Sequence, residues 1–303
     1  MKIIITGGTG LIGGALAEDL AMDGHEVIVL SRSSKRANNI SPGIRSAKWD
    51  GRTAQGWGHL AESAGAIVNL AGENVGAGRW NAQRKRVIIE SRLNAGAAVM
   101  QAIRQAENKP GMVLQASGVG YYGISDTASF GENAVPADDF QGRICQDWEA
   151  STQPVEELGV RRVVTRSGVV LSVRAGALPR MLLPFKLFVG GPLGSGRQWL
   201  SWVHLEDEVR ALRFLIDNPE ARGVFNISAQ PVTNRQFAQA LGKAMHRPAF
   251  IPVPAFVLRF LFGEMSTMIL DGQRVSSQRL LDHGFNFRFP DIDSAFKDIL
   301  KRK

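Results

Sequence analysis

Residues 5–14 read ITGGTGLIGG, and Gly7, Gly10 and Gly13 fall at every third position. The apolar run KIIIT (2–6) precedes them and a helical pattern over 11–23 follows. In this setting the first glycine permits a tight turn and the second lets the backbone approach a pyrophosphate. The third lets the helix lie close on the strand, and the positive helix end draws phosphate. Glycine spacing alone says little, but a strand before it and a helix after it are the context a dinucleotide-binding loop requires. Thr9, Leu11 and Ile12 complete the loop and the first helical turn, so they are expected beside the same cofactor.

Beyond the loop, short Val/Ile-rich runs alternate with helical patterns. The runs are 25–31, 66–72, 112–117 and 161–171, with a weaker one at 44–49. The helical patterns cover 80–106, 143–158 and 205–218. Such alternation predicts βαβ units: an α/β Rossmann fold with a doubly wound parallel sheet covered on both faces. After residue 171 prolines break the chain into shorter elements, while FNIS (225–228) reads as one more strand of the main sheet. The expected division is a dinucleotide-binding domain over 1–170 and about 205–228. A smaller, discontinuous C-terminal lobe over about 171–204 and 229–303 would form the substrate side of a cleft. Pro248, Pro252, Phe256, Phe260 and Phe262 predict a greasy wall for it.

The second strand ends at Ser31 and Arg32, roughly twenty residues past the glycines, where an NAD-preferring protein carries an acid for the ribose hydroxyls. Here there is no acid. Ser31, Arg32, Ser33, Lys35 and Arg36 instead suit a 2′-phosphate, which makes NADP(H) the expected cofactor. A solvated basic loop is the plain alternative.

Composition narrows the function classes. The chain has 303 residues, 44% of them hydrophobic and 21% charged, with a net charge of +8. That is ordinary globular composition with a leaning toward anionic ligands. The basic residues are dispersed and no helix-turn-helix, zinc or RNA-binding signature accompanies them, so a phosphorylated small molecule is expected and nucleic acid is not. No apolar run reaches the length of a membrane span, and the start does not resemble a signal peptide, so no membrane partner is expected. Cys145 is the only cysteine and the five histidines are dispersed, which predicts no disulfide, no metal site and a cytoplasmic location. The helix at 80–106 is long enough to pack on a copy of itself, so a homo-oligomer stays open.

Several separated motifs resemble the extended short-chain dehydrogenase/reductases: TGGTGLIG (6–13), NLAG (69–72), SGVGYYG (117–123) and WVHLEDEV (202–209). More narrowly, SRLNAG (91–96), GGPLGSGRQWLSWVH (190–204) and LDGQRVSSQRLLDHGFNFRFP (270–290) resemble the atypical subgroup of epimerase-family proteins, over nearly the whole chain. The resemblance implies that Gly7, Gly10 and Gly13 carry the pyrophosphate and Arg32 meets the ribose phosphate. Leu70, Ala71 and Gly72 would line the cofactor, and Asn94 would be the asparagine of the long helix. Ser117, Ser167 and Gly168 would border the nicotinamide.

The usual chemistry of that family uses a Ser or Thr, a Tyr that transfers a proton, and a Lys four residues later that lowers the Tyr pKa. With Glu149 as the register mark, Gln141 stands at the tyrosine position and Cys145 at the lysine position. Neither performs the same task, since Gln does not titrate and a neutral thiol is no cation. Ser117, Tyr121, Tyr122 and Cys145 are therefore the catalytic candidates, with loop packing the alternative for the two tyrosines and a small buried hydrophobe the alternative for Cys145; a reactive Cys145 would owe a lowered pKa to the helix start and Arg143. Arg197 is the candidate for an anionic substrate or a phosphate. His204 and Asp207 are expected to tie the late helix to the sheet. The leading expectation is an NADP(H)-dependent oxidoreductase or epimerase-like enzyme that transfers hydride to or from an unidentified small carbonyl or alcohol. The alternative is a non-catalytic NADP(H) sensor, and a third is a redox switch at Cys145.

Overall fold

The computed structural model describes residues 1–32 and 43–301, so Ser33, Lys35 and Arg36 lie outside the described residues. The main sheet contains β1 (Lys2–Thr6), β2 (Glu26–Ser31), β3 (Ile44–Lys48), β4 (Ala66–Asn69), β5 (Met112–Gly118), β7 (Arg161–Ser167) and β11 (Gly223–Ile227). Its order is β11-β7-β5-β4-β1-β2-β3, and every pairing is parallel. The chain moves outward from β1 to β3, then crosses to the other side of β1 at β4. That reversal opens a crevice at the carboxyl ends of β1 and β4, the ligand position in open α/β sheets.

Both faces of the sheet are covered, which explains why its central strands read as unbroken apolar runs. Alternate residues enter different cores. Ile3, Ile5, Leu114 and Val163 pack with α1 (Leu11–Met22) and Leu212 and Leu215 of the helix Leu205–Asp217. Ile4, Ile67 and Val113 face Ala95, Val99 and Ile103 of α2 (Ala82–Gln105).

Two expected elements are divided. The helix predicted over 143–158 is α3 (Phe140–Ala150), followed by a separate 3-10 turn at Gln153–Leu158. Asp139 caps α3 by accepting from the Gly142 amide at 2.7 Å, so the helix starts before Arg143. The run 161–171 is likewise two strands, because at Gly168 the backbone passes close to Ser201. A Cβ there would lie 2.8 Å from the Ser201 carbonyl oxygen. After it β8 (Val169–Leu171) leaves the main sheet and pairs with β10 (Trp202–His204).

A further core gathers Phe185, Trp202, Leu241 and Phe296. It joins α4 (Leu178–Lys186), α6 (Asn234–Met245) and α10 (Ile292–Lys301), whereas α5 (Leu205–Asp217, reached from β10) and Leu280 of α9 (Gln278–Asp282) belong to the core of the main sheet; α7 (Ala255–Phe262) and α8 (Thr267–Leu270) lie between α6 and α9 in the chain. The short pairs β6 (Ser129–Phe130) with β13 (Arg274–Val275), and β9 (Trp199–Leu200) with β12 (Val232–Thr233), stitch that region together. Asp207 accepts from the Arg288 and Phe289 amides, both at 2.8 Å, so it ties α5 to the C-terminal segment instead of to the sheet, while the His204 side chain caps α5. Among the described residues no helix is long and apolar enough to cross a membrane.

Candidate active site and cofactor groove

The glycine loop forms one end of a groove of about 680 Å³. Gly7 has φ +70°, and a Cβ on it would lie 2.8 Å from the Leu70 carbonyl, so only glycine fits between the ends of β1 and β4. At Gly13 a Cβ would lie 2.5 Å from the Gly7 oxygen, which is the close helix-to-strand approach the spacing predicts. Gly10 caps α1 and offers no side chain to its amides, and no acidic residue occupies the first turn. These amides face the groove end uncapped by the protein itself, a suitable arrangement for an anion.

Gly7, Thr9, Gly10, Ser31, Arg32, Leu70, Ala71, Gly72 and Asn94 all line this groove. Leu11 and Ile12 do not, because Ile12 turns into the sheet core and Leu11 lies toward Gly176. Arg32 reaches across the loop after β3, where a Cβ on Gly51 would come within 3.1 Å of Arg32 Cδ. Arg52 lines the same end, in a turn held by Asp50, which accepts from the Arg52 and Thr53 amides at 2.7 and 2.8 Å. A buried chain of side chains fixes the opposite wall. Thr6 donates to Asn69 at 2.7 Å, Asn69 to Gln115 at 2.8 Å, and the Ala71 amide to Thr6 at 3.1 Å.

Past Gly72 the groove meets a second cleft of about 300 Å³, lined by Ser117, Gln141, Cys145, Ser167, Gly168 and Trp199 among others. The junction is Arg92, a buried residue of α2 whose Cζ would lie 3.1 Å from a Cβ on Gly72. Its guanidinium donates to the Glu73 and Ile88 carbonyls and stacks 4.7 Å from the Trp148 ring. Gln141 and Cys145 share one face of α3, as their four-residue spacing requires.

Two serines enter this cleft from neighbouring strands. Ser117 is paired in register with Arg166, and Gly118 with Ser167, so the two serine side chains leave opposite faces of the sheet. On the α3 face Ser117 Oγ donates to Glu149 Oε1 at 2.7 Å, and Arg166 grips both Glu149 oxygens at 2.8 Å. Burial would lower the Arg166 pKa, but the Glu149 carboxylate more than offsets it and holds the guanidinium above its ordinary value. On the α5 face Ser167 Oγ donates to Glu208 Oε1 at 2.6 Å. Glu208 is fully buried; burial pushes its carboxyl up to about 7, against the opposing bond from Ser167.

Several expected roles need correction. Neither tyrosine lines the cleft, which favours the packing alternative over the catalytic one. Tyr122 is buried, its hydroxyl donates to Asn226 at 2.6 Å and accepts from Arg166 at 3.0 Å, and burial raises its pKa despite that cation. Tyr121 lies under the Arg166 guanidinium, 3.3 Å from it, so both rings hold Arg166 from beneath the site. Cys145 does reach the cleft, yet its pKa is not lowered. Burial and then the nearby Glu149 push the thiol up to about 11. Arg143, expected to lower it, is exposed and paired with Asp138 at 2.7 Å. Arg197 is exposed and lines neither cleft nor groove; its amide donates to Ser195. The far wall is also different. Phe256 and Phe260 are exposed and Phe262 packs near Trp80, while Thr267, Met268, Asp271 and Gln273 line the cleft.

Arg52, Arg92 and Glu208 were not singled out by the sequence. Arg92 does fall inside the SRLNAG stretch and Glu208 inside WVHLEDEV, and a charged residue within each motif is the signal the sequence offers.

A family model described as "NAD dependent epimerase/dehydratase family" matches residues 3–228, and one described as "Domain of unknown function (DUF1731)" matches residues 253–299. The chain is 37% identical over 302 residues to the epimerase family protein YfhF of Bacillus subtilis (strain 168), covering 99% of this chain and 98% of the relative. It is 38% identical over 306 residues to the epimerase family protein SDR39U1 of Bos taurus, covering 99% and 100%. The crystal structure of human epimerase family protein SDR39U1 (isoform 2) with NADPH superposes with a TM-score of 0.89 at 37% identity, over 100% of both chains. A UDP-glucose 4-epimerase of Thermus thermophilus, in complex with NAD, shares the fold at a TM-score of 0.79 and 19% identity, over 99% of this chain and 98% of that one. The chain belongs to the NAD dependent epimerase/dehydratase family, as an atypical short-chain dehydrogenase/reductase of the SDR39U1 type with a C-terminal DUF1731 region.

Proposed function

We propose that this protein binds NADP(H) along the groove and interconverts a small carbonyl and its alcohol in the adjoining cleft. The observation that carries the reading is the continuity of the two: the uncapped glycine loop and the Arg32/Arg52 end lead past Gly72 and Arg92 to the paired serines. The residues fit the cofactor. Gly7 and Gly13 leave room that any Cβ would fill, the α1 amides suit a pyrophosphate, and two guanidiniums suit a 2′-phosphate. The NADPH in the human SDR39U1 structure supports the same choice.

When bound, the nicotinamide supplies or accepts hydride. The protein's own contribution is orientation and polarity. Ser117 Oγ, its proton held by Glu149, is left to accept from a substrate hydroxyl, while Glu149 and Arg166 fix the serine's direction. Arg92 adds a buried positive charge beside the cleft, and Trp80, Trp199 and Met268 give it apolar lining. The single buried thiol suits a reducing, cytoplasmic compartment.

The test is to identify the nucleotide that co-purifies and then follow nicotinamide absorbance with added NADPH and a panel of small aldehydes and ketones. NADPH consumption that depends on the carbonyl supports the reading. Stoichiometric NADPH without turnover transfers weight to a second reading, a non-catalytic redox-state sensor, which is favoured by Gln141 and Cys145 standing where a titrating pair belongs. That second reading fails in turn if NADPH and NADP⁺ bind equally well, because equal affinities shift no equilibrium.

A further inference from the structure

Glu208 is the least expected residue near the cleft. It is 1% exposed, Oε1 holds the Ser167 hydroxyl at 2.6 Å, and Oε2 has no hydrogen-bond partner among the described residues. A buried carboxylate ordinarily recruits a cation. Among the described residues none is set against this one. The helix that carries it packs on α1, β7, β8 and β10, and the charged groups on those elements are engaged or turned away. On β7, Arg166 grips Glu149, Arg162 bonds Thr152 and Glu156, and Arg161 caps the carbonyls after Leu215. On α1, Glu18 is exposed and Asp19 pairs with Arg213; on β10, His204 faces Asp298. On α5 itself, Glu206 pairs with Arg288, Asp207 with Arg210, and Asp217 with Arg213.

Ser167 is thus the one polar group on Glu208 among the described residues, and Ser167 also lines the cleft. We propose that Ser167 and Glu208 form a proton relay, with Glu208 as a buried reservoir that reaches the cleft through the serine hydroxyl. The relay deepens the proposed carbonyl chemistry and rests on that reading for its purpose. A hydroxyl donates and accepts at once, so it passes a proton without holding charge.

In the reducing direction, Ser167 Oγ–H gives its proton to the substrate oxygen as hydride from a reduced nicotinamide arrives at the carbonyl carbon. The Glu208 carboxyl proton moves onto Ser167 Oγ, which leaves a neutral serine, a Glu208 carboxylate and a neutral alcohol. After product leaves, water in the cleft returns one proton to Glu208 by the same path. Alcohol oxidation runs these transfers in reverse. A lone carboxyl without a cation is suited to holding a proton near neutrality, whereas Glu149, gripped by Arg166, is suited to orienting Ser117. Ser167 is the residue at the reacting atoms; Glu208 acts through it.

The test needs no substrate. Infrared difference spectra of the full-length protein at about pH 6, where burial keeps Glu208 neutral, should contain a protonated-carboxyl C=O band that Glu208→Gln removes. On transfer to D2O, that band should move to its deuterated position at least about tenfold more slowly in Ser167→Ala than in the parent, and Ser167→Thr should restore the parent rate. An unchanged rate in Ser167→Ala overturns the relay, as does a spectrum in which Glu208→Gln removes no band. Slow exchange in Ser167→Thr also overturns it, since packing rather than the hydroxyl would then set the rate. NADPH binding is measured separately on the parent. Its failure would sink the proposed function and leave the exchange result intact.

Discussion

Ser117 and Ser167 reach the same cleft from adjacent strands, each with a glutamate behind it, yet the two glutamates live in opposite surroundings. Glu149 is clamped by Arg166, with Tyr121 and Tyr122 supporting the guanidinium from below. Glu208 is buried, with the Ser167 hydroxyl as its one hydrogen-bond partner among the described residues. Neighbouring positions of one strand point to opposite faces of the sheet, so a single step from Arg166 to Ser167 changes which core the carboxylate partner occupies. One pair is built to keep its geometry and the other to keep a proton. Two glutamates thus stand behind two serines of one cleft, one held by a guanidinium and one without a cation among the described residues.

The largest expected effect breaks the clamped pair. Arg166→Met leaves Glu149 nearly buried without its cation, and should destabilise the protein by about 3–5 kcal/mol in urea unfolding. Adding Glu149→Met should recover most of that loss. If single and double variants are equally unstable, Arg166 acts through packing alone and the contrast between the two glutamates weakens.

The lone glutamate should show itself as a pH dependence of stability. Its folded pKa of about 7 stands above the ordinary carboxylate value of 4.5, so the folded state binds the extra proton between those two values. Stability from this group is full below about pH 4.5, falls as pH rises through the window, and stays lower above about 7. The difference corresponds to about 3 kcal/mol. Glu208→Gln should lack this slope. Parallel pH–stability curves for parent and variant would show that Glu208 titrates like an exposed carboxyl.

Cys145 sharpens the same contrast from the Glu149 side. Its thiol, raised from 9.0 to about 11 by burial and by Glu149, should carry about 100-fold less thiolate near neutral pH than an unshifted cysteine. Alkylation by iodoacetamide should be slower by at least that factor, and Cys145→Ala should leave the response to peroxide unchanged. Rapid alkylation would revive the redox-switch reading.

The parts of the molecule that depend on backbone were legible in the sequence. Gly7 and Gly13 mark close approaches that a Cβ would block, and Ser117, Ser167 and Gly168, which the resemblance singles out, all line the cleft. Parts that depend on side-chain direction were not. Tyr121 and Tyr122 follow Ser117 closely in sequence, but the short 3-10 turn Val119–Tyr122 sends their rings under Arg166 instead of into the cleft. Arg143 lies two positions from Cys145, and Asp138 draws it outward. Arg52 and Arg92 join the site from the loop after β3 and from α2, which sequence distance hides. The late wall was misread because exposed phenylalanines such as Phe256 carry the same apolar signature as buried ones.

The smallest effect in energy concerns the central assignment, the cofactor itself. NADPH and NADH are titrated into the parent and into Arg32→Asp, with binding followed by nucleotide fluorescence. The parent should bind one NADPH per chain, at least about tenfold tighter than NADH, equivalent to about 1.4 kcal/mol. Arg32→Asp should bring the two affinities to within a small factor of each other. Equal affinities in the parent, or a preference that survives Arg32→Asp unchanged, would contradict the assignment of this groove to NADP(H).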